Sequence, residues 1–177
     1  DKYAIESVSA SLSSTQAGAH ADLSFGFVLA QNANHPYALT RDVDVHLPPG
    51  VIGNPQAVPR CTIEQFGTNS EDSHCPVASQ VGVIRVAVGG LISTTQLDPI
   101  YNMAPPAGQG DVVARFGFYA PYATFANVKV DPTDFSLVSS VEGAPSAAEL
   151  LEAETTIWGV PAAPLHDALR MTADEGV

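Results

Sequence analysis

Basic residues are scarce in this sequence. Only 7 Lys and Arg residues stand against 19 Asp and Glu residues, which gives a formal net charge of -12 over 177 residues. The few cations are scattered along the chain, whereas binding to nucleic acid or to an anionic membrane draws on clustered cations. We therefore expect no nucleic-acid partner, and we predict that the acidic surface keeps the chain soluble outside the cell.

Long apolar runs are also missing. No stretch approaches the roughly 20 apolar residues that a membrane-spanning helix needs, so we predict no membrane insertion. With 45% hydrophobic and 15% charged residues, the chain is nevertheless too apolar to remain disordered. Because it begins at Asp1 with neither a Met nor a signal peptide, we expect a processed or excised fragment.

What the sequence does contain is a repeated alternation of apolar and polar residues, which is typical of strands with one buried face. The predicted strands cover residues 7–12, 23–29, 42–47, 80–88, 91–100, 112–119, 126–130, 135–141 and 153–160. Gly, Pro, Asn and Asp separate them. This pattern predicts an all-β fold, an antiparallel β-sandwich of the Ig-like or jelly-roll-like type.

Helix signals are few and short. Thr62 can cap one turn at residues 62–66, and further short helices are predicted at 146–152 and 163–171. None is long enough to build a core. We predict a single β-sandwich domain over residues 1–170, followed at 171–177 by a polar, unpatterned tail or the start of a linker.

The chain has only two cysteines, Cys61 and Cys75. Their spacing matches neither the paired ligands of a zinc site nor a Cys-x-x-Cys redox motif. The residues between them are turn formers and acids, and closing such a loop stabilises a fold by about 3 kcal/mol in the chain-entropy model. A disulfide is therefore predicted, which implies an oxidising compartment and a secreted or cell-surface protein.

Two alternatives for these cysteines stay open. They can be reduced structural thiols, or Cys75 can bind a metal together with His74, Glu71 and Asp72. Adjacent residues on an extended chain point to opposite faces, which makes it difficult for His74 and Cys75 to share one ion.

Catalytic motifs are lacking. The five histidines form no His-Glu-x-x-His pattern, and no serine lies in a Gly-x-Ser-x-Gly elbow. His46 shares a predicted strand face with Asp42 and Asp44, and such a face is usually solvated. We expect no enzyme; a metal-dependent secreted enzyme using His46, His74 and the acids is the last alternative.

Two weaker site hypotheses concern calcium and carbohydrate. Asp131 and Asp134 lie in one turn and can either bind Ca²⁺ or cap the turn; no other cofactor is expected. Tyr119, Tyr122 and Trp158 can offer aromatic contacts to a sugar, or they can belong to the core or its rim.

Several longer motifs support a family resemblance. They are "DVDVHLPPGVIGNPQAVPRC", "CPVASQVG", which follows the first cysteine after a 13-residue gap, "PIYNMAPPAG", "ARFGF" and "TTIWGVPAAPLHDALR". Together, over residues 3–170, they resemble the amino-terminal β-rich region of large uncharacterised secreted or cell-surface bacterial proteins. The resemblance implies export, a β-sandwich at the start of a longer polypeptide, and a surface or matrix role. It carries no catalytic residues.

The expected function is that of a non-catalytic extracellular structural or interaction module in a cell-surface, adhesive or filament-forming protein. Its partners would be other protein subunits or cell-surface components, including copies of itself that associate through edge strands. The strands at 3–12 and 23–29 are the candidates for exchange between subunits. A carbohydrate-binding β-sandwich is the first alternative.

Overall fold

The computed structural model of the protein describes residues 2–144 and 148–170. Eleven strands run through this part of the chain: β1 (Ile5–Leu12), β2 (Leu23–Leu29), β3 (Gln31–Asn32), β4 (His35–Pro36), β5 (Val43–His46), β6 (Gln80–Val88), β7 (Thr94–Met103), β8 (Val112–Tyr119), β9 (Ala123–Val130), β10 (Leu137–Val141) and β11 (Leu150–Ile157). The helical pieces are α1 (Ile63–Phe66) and four 3₁₀ turns, at Ser70–Asp72, Val77–Ser79, Gly90–Ile92 and Pro164–Leu169.

Nine of these strands form one curled sheet. Their order is β1-β2-β11-β6-β7-β8-β9-β10-β5, and every neighbouring pair is antiparallel. The two shortest strands, β3 and β4, pair with each other as a small hairpin. The predicted all-β antiparallel class is therefore confirmed, while the Ig-like or jelly-roll-like type of sandwich stays a prediction.

The boundaries of several elements differ from the sequence predictions. The helix predicted at 146–152 is wrong, since β11 begins at Leu150 and pairs with β2 and β6 on its two sides. Pairing on both sides of a central strand outweighs the local helix propensity of Ala, Glu and Leu. β7 begins at Thr94 because a 3₁₀ turn occupies Gly90–Ile92. The predicted tail at 171–177 lies outside the described residues.

Side chains on the inner face of the curled sheet form the main core. Alternation along β6 to β9 directs the following residues to this face: Ile84, Val86, Val88, Ile100, Phe118 and Ala126. Val58, from the loop between β5 and α1, packs against the same cluster. On the opposite, outer face a second cluster contains Tyr101, Met103 and Tyr119 together with the residues around α1.

Helix α1 is short but well defined at both ends. The Gln65 N–H donates to the Thr62 hydroxyl (3.3 Å), and the Thr62 N–H donates to the Gln65 side-chain oxygen (3.0 Å). This capping box confirms the predicted role of Thr62. Gly67 follows with φ 72°, a left-handed value that favours glycine and ends the helix. The turn thereby directs Phe66 onto the outer face of the sheet.

Candidate functional site

The two cysteines are joined in a disulfide. The sulfur atoms of Cys61 and Cys75 are 1.95 Å apart, and their Cα atoms are 5.1 Å apart. The prediction is confirmed, and the alternatives of free thiols or of Cys75 as a metal ligand are wrong. Among the described residues, no group of three or more His, Cys, Asp or Glu side chains could hold a metal ion.

The disulfide loop, residues 61–75, covers the outer face of β7, β8 and β9. Phe66 is fully buried and stacks on Tyr119, with ring centroids 4.5 Å apart. The centroid of its ring also lies 6.2 Å from that of Tyr101 and 5.2 Å from that of Phe125. The Tyr119 hydroxyl donates to the Phe66 carbonyl oxygen, and burial raises the pKa of Tyr119. These contacts give the loop a structural role in covering the sheet.

The predicted aromatic ligand surface is not assembled. Tyr119 is 1% exposed beneath Phe66, and Trp158 is 3% exposed. His166 stacks on Trp158, with centroids 4.5 Å apart and nearly parallel planes. Both residues are therefore wrong as sugar contacts, because stacking on a sugar needs an exposed ring face. Tyr122 alone of the three is exposed, at 43%.

The two acids of the calcium hypothesis cap their turn. One Asp131 carboxylate oxygen accepts a hydrogen bond from the Thr133 N–H (2.7 Å), and one Asp134 carboxylate oxygen accepts from the Ser136 N–H (3.0 Å). The bond to the Ser136 backbone lowers the pKa of Asp134. The capped-turn alternative is thus confirmed, and calcium binding here stays a prediction.

The two acids and the histidine in and just before β5 face solvent. Asp42, Asp44 and His46 are all exposed, while the intervening valines are half-buried. This is the alternation of an ordinary solvated strand face. Asp42 accepts a hydrogen bond from the Gly143 N–H at 2.8 Å. The metal-enzyme alternative gains nothing from this arrangement.

Sequence reasoning missed a buried carboxylate on the inner face. Asp98 of β7 lies opposite Ile84 and is 3% exposed. One oxygen accepts from the Gln96 side-chain amide at 3.1 Å, while the other has no hydrogen-bond partner within the described residues. Burial raises the pKa of Asp98 to about 6. The available signal was its position in the strand, since Asp98 lies two residues before Ile100 of the core and therefore shares its face.

A second missed feature is a pair of buried His166 and half-buried Asp22 that fastens the end of the described chain. Nε2 of His166 lies 3.0 Å from one Asp22 carboxylate oxygen. The other Asp22 oxygen accepts from the Gly159 N–H at 2.8 Å. A Cβ on Gly159 would lie 2.3 Å from the carbonyl oxygen of His20, so only glycine fits there. The motif "TTIWGVPAAPLHDALR" therefore has a structural explanation.

The first strand is the most exposed element of the sheet. All eight residues of β1 are exposed, and Val8 keeps 72% of its surface accessible. Ile5 and Leu12 are also large apolar residues in contact with solvent. β1 ends the sheet, so one of its two edges has no neighbouring strand within the described residues.

The register shows which backbone groups point to that free edge. The Ser13 N–H donates to the Asp22 carbonyl oxygen at 3.0 Å. The pairing of β1 with β2 has one irregularity near its start and then continues without a shift to Leu12. Residues that bond to one neighbour alternate with residues whose groups point away. The N–H and C=O groups of Val8, Ala10 and Leu12 therefore point outward.

The two faces of β1 and β2 differ in chemistry. On the inner face, apolar residues of the two strands form a row that we call the open strip: Val8, Leu12, Leu23, Phe25 and Phe27. The two phenylalanines are only half-buried. On the outer face β1 presents the serines at positions 7, 9 and 11. The candidate functional site is the free edge of β1 together with the open strip.

No family model, no curated protein and no solved structure matches this chain. No helix in residues 2–144 and 148–170 is both long and apolar enough to cross a membrane. The function is therefore inferred from the geometry of the chain itself, and the observation that stands out is the uncovered strand at one end of the sheet.

Proposed function

We propose that this chain is a non-catalytic structural or interaction module of a secreted, cell-surface, adhesive or filament-forming bacterial protein, and that it acts by accepting a strand at the free edge of β1. In this proposal the curled sheet is a sandwich-like scaffold. The observation that carries it is the exposure of all eight residues of β1 at the end of a nine-stranded sheet.

The chemistry of a sheet edge supports this proposal. An edge strand presents unpaired N–H and C=O groups, and an extended segment from another chain can satisfy them by adding a strand. Edges that avoid such pairing are short, charged or interrupted by proline. β1 has eight residues, no lysine and no proline, and a single charged residue, Glu6.

The opposite edge of the same sheet has the protective features that β1 lacks. β5 has only four residues, Val43–His46, and exposes Asp44 and His46. Pro48 and Pro49 follow one residue after its end. The contrast supports β1 as the edge that is available for contact.

The disulfide and the acidity are compatible with a secreted or cell-surface module. The disulfide fits an oxidising compartment, and a net charge of -12 favours solubility there. The carbohydrate alternative depends on Tyr122 alone, because the other two rings are buried.

The experiment is a selection of short strands. A phage library of eight-residue peptides is selected on the immobilised protein, and bound peptides are mapped by NMR amide exchange. We expect enriched peptides with alternating apolar and polar residues that protect the amides of Val8, Ala10 and Leu12. Failure to enrich any peptide, or protection at another surface, would overturn the proposal.

Two variants make this test specific to the edge. Ala10→Pro removes an outward N–H, and proline is tolerated on an edge strand where the N–H faces solvent. We expect it to abolish peptide binding with little change in stability. The control Ser9→Ala changes a neighbouring side chain but keeps every backbone N–H, so binding should persist.

A further inference from the structure

We infer that the strand accepted by β1 is β1 of a second copy of this chain, paired antiparallel about a two-fold axis centred on Ala10. This inference rests on the proposed function and names its partner. It joins two nine-stranded sheets into one continuous sheet, with the open strips of the two copies on the same side.

The alternation of outward and inward backbone groups along β1 allows this pairing. The outward groups of β1 belong to the even-numbered residues from Val8 to Leu12, as shown by the bond from Ser13 to Asp22. In a two-fold antiparallel pair centred on Ala10, Val8 of one copy lies opposite Leu12 of the other. Both positions are even, so the outward groups of one strand meet the outward groups of its partner.

Side-chain chemistry also matches in this register. On the inner face, Val8 meets Leu12 twice and Ala10 meets Ala10, so apolar residues face apolar residues. On the outer face Ser9 meets Ser11. Opposed residues on one sheet face are the pairs whose side chains interact across strands. The strand is thus complementary to itself, which a two-fold interface requires.

Charge disfavours the register centred on Val8, which would include Glu6, and the end of β1 at Leu12 disfavours the register centred on Leu12. Each copy carries a net charge of -12, so most surfaces of two copies repel each other. Residues 7–13 are uncharged, and centring on Ala10 pairs this segment with itself. The register also begins after the irregularity between Ile5 and Ser7, where a regular ladder is interrupted. Glu6 then lies outside the paired segment.

The geometry favours addition of a strand over exchange of a strand between copies. β1 is fastened to its own chain near both ends. The Ala30 N–H donates to the Ala4 carbonyl oxygen at 2.9 Å, and the Tyr3 and Thr40 hydroxyls are 2.9 Å apart. The bond from Ser13 to Asp22 fastens the other end. Pairing of two free edges leaves these bonds intact.

The contact is small, and this sets the concentrations for the test. Interfaces below about 1,200 Å² in total belong to the weak class, and one strand from each copy falls there. We therefore expect a dimer that dissociates at low micromolar protein and forms as the concentration approaches the millimolar range. High local density at a surface would favour it.

Sedimentation velocity over this range tests the dimer. The wild type should shift from monomer to dimer, whereas Val8→Lys should stay monomeric, because two buried lysines would face the apolar row. The matched control is Ile52→Lys, which places the same charge on a loop residue that is 90% exposed; its dimerisation should equal that of the wild type. A wild type that is monomeric at millimolar concentration would overturn this inference.

Cysteine crosslinking tests the register. Because the native cysteines are joined to each other, one added cysteine is a specific probe. A mixture of Ser9→Cys and Ser11→Cys proteins should form crosslinked dimers on mild oxidation, and either protein alone should form at least tenfold fewer. Equal crosslinking in all three samples would overturn the Ala10-centred register.

The experiments distinguish failure of the dimer from failure of the proposed function, which is strand addition at β1. If the wild type stays monomeric but the phage selection still yields peptides that protect Val8, Ala10 and Leu12, the edge accepts strands and the second copy is the wrong partner. If neither experiment shows contact at β1, the proposed function fails as well.

Discussion

Two regions of the same sheet differ in how they are covered. At β7 to β9, which we call the covered region, the inner face is core and the outer face lies beneath the disulfide loop. At β1 and β2, the open end, the inner-face phenylalanines are half-buried and all of β1 is exposed. The comparison shows that one antiparallel sheet can combine a region covered on both faces with a strand that is fully exposed.

The origin of the difference lies in the loops. The connection before β6 contains Phe66 and both cysteines, so it can place an aromatic ring on the sheet and hold it there. The connection between β1 and β2 contains small and polar residues, among them Gly18 and Asp22. It has no large apolar side chain with which to cover the open strip.

The largest effect is expected in the covered region. Phe66→Ala removes a fully buried ring that contacts three other aromatic rings, and such truncations lower the free energy of unfolding by about 3–5 kcal/mol. Urea denaturation of the oxidised protein measures it. The control is Ile63→Ala on the exposed side of the same helix, with an expected loss below about 1 kcal/mol. Equal losses would show that the loop does not cover the sheet as described.

A smaller, pH-dependent effect is expected from Asp98 on the inner face. Its pKa is raised from 3.8 to about 6 because burial disfavours the charged form. The folded state therefore binds the proton more tightly than the unfolded state, and the free energy of unfolding falls as the pH rises from about 4 to about 6. Asp98→Asn should stabilise the protein at pH 7 by about 1–3 kcal/mol and have no such effect below pH 4.

Thermal and urea unfolding at pH 4 and pH 7 measure this difference. The control is Asp44→Asn, an exposed carboxylate on β5, which should change the free energy of unfolding by less than about 0.5 kcal/mol at either pH. A gain for Asp98→Asn that is the same at both pH values would contradict the assignment to a buried ionisation. The gain in stability would then come from local packing around Gln96.

Local patterns predicted the elements well. Alternation gave the bounds of β6 and β8, and Thr62 followed by Gln65 at the third helical position gave the cap of α1. The absence of metal-binding and redox spacings left the disulfide as the simplest explanation of Cys61 and Cys75. Each of these inferences uses residues that are close in sequence.

Features that depend on distant residues could not be predicted in this way. A period of two shows that Tyr119 and Phe118 face opposite sides, but it does not show that Phe66 covers Tyr119. The pair of Asp22 and His166 joins residues that are 144 positions apart. The exposure of β1 likewise depends on the sheet order, in which β11 lies between β2 and β6.

The smallest expected effect belongs to the open end. Val8 and Val86 lie in one inner-face row of the sheet, connected through Phe27 and Ala153, yet Val8 is exposed and Val86 is buried. Val8→Thr keeps the branched shape and should change the free energy of unfolding of the monomer by less than about 0.5 kcal/mol. Val86→Thr buries a hydroxyl and should lower it by about 1–3 kcal/mol.

Urea denaturation at low micromolar concentration, where the monomer predominates, provides this comparison. If Val8→Thr lowers the free energy of unfolding as much as Val86→Thr does, the open strip is covered within the monomer and β1 is not available for contact. If the two losses differ as expected, a substitution that does not affect folding at Val8 can still weaken dimerisation at high concentration. Separate effects on stability and association would then assign the covered region to folding and the open end to contact.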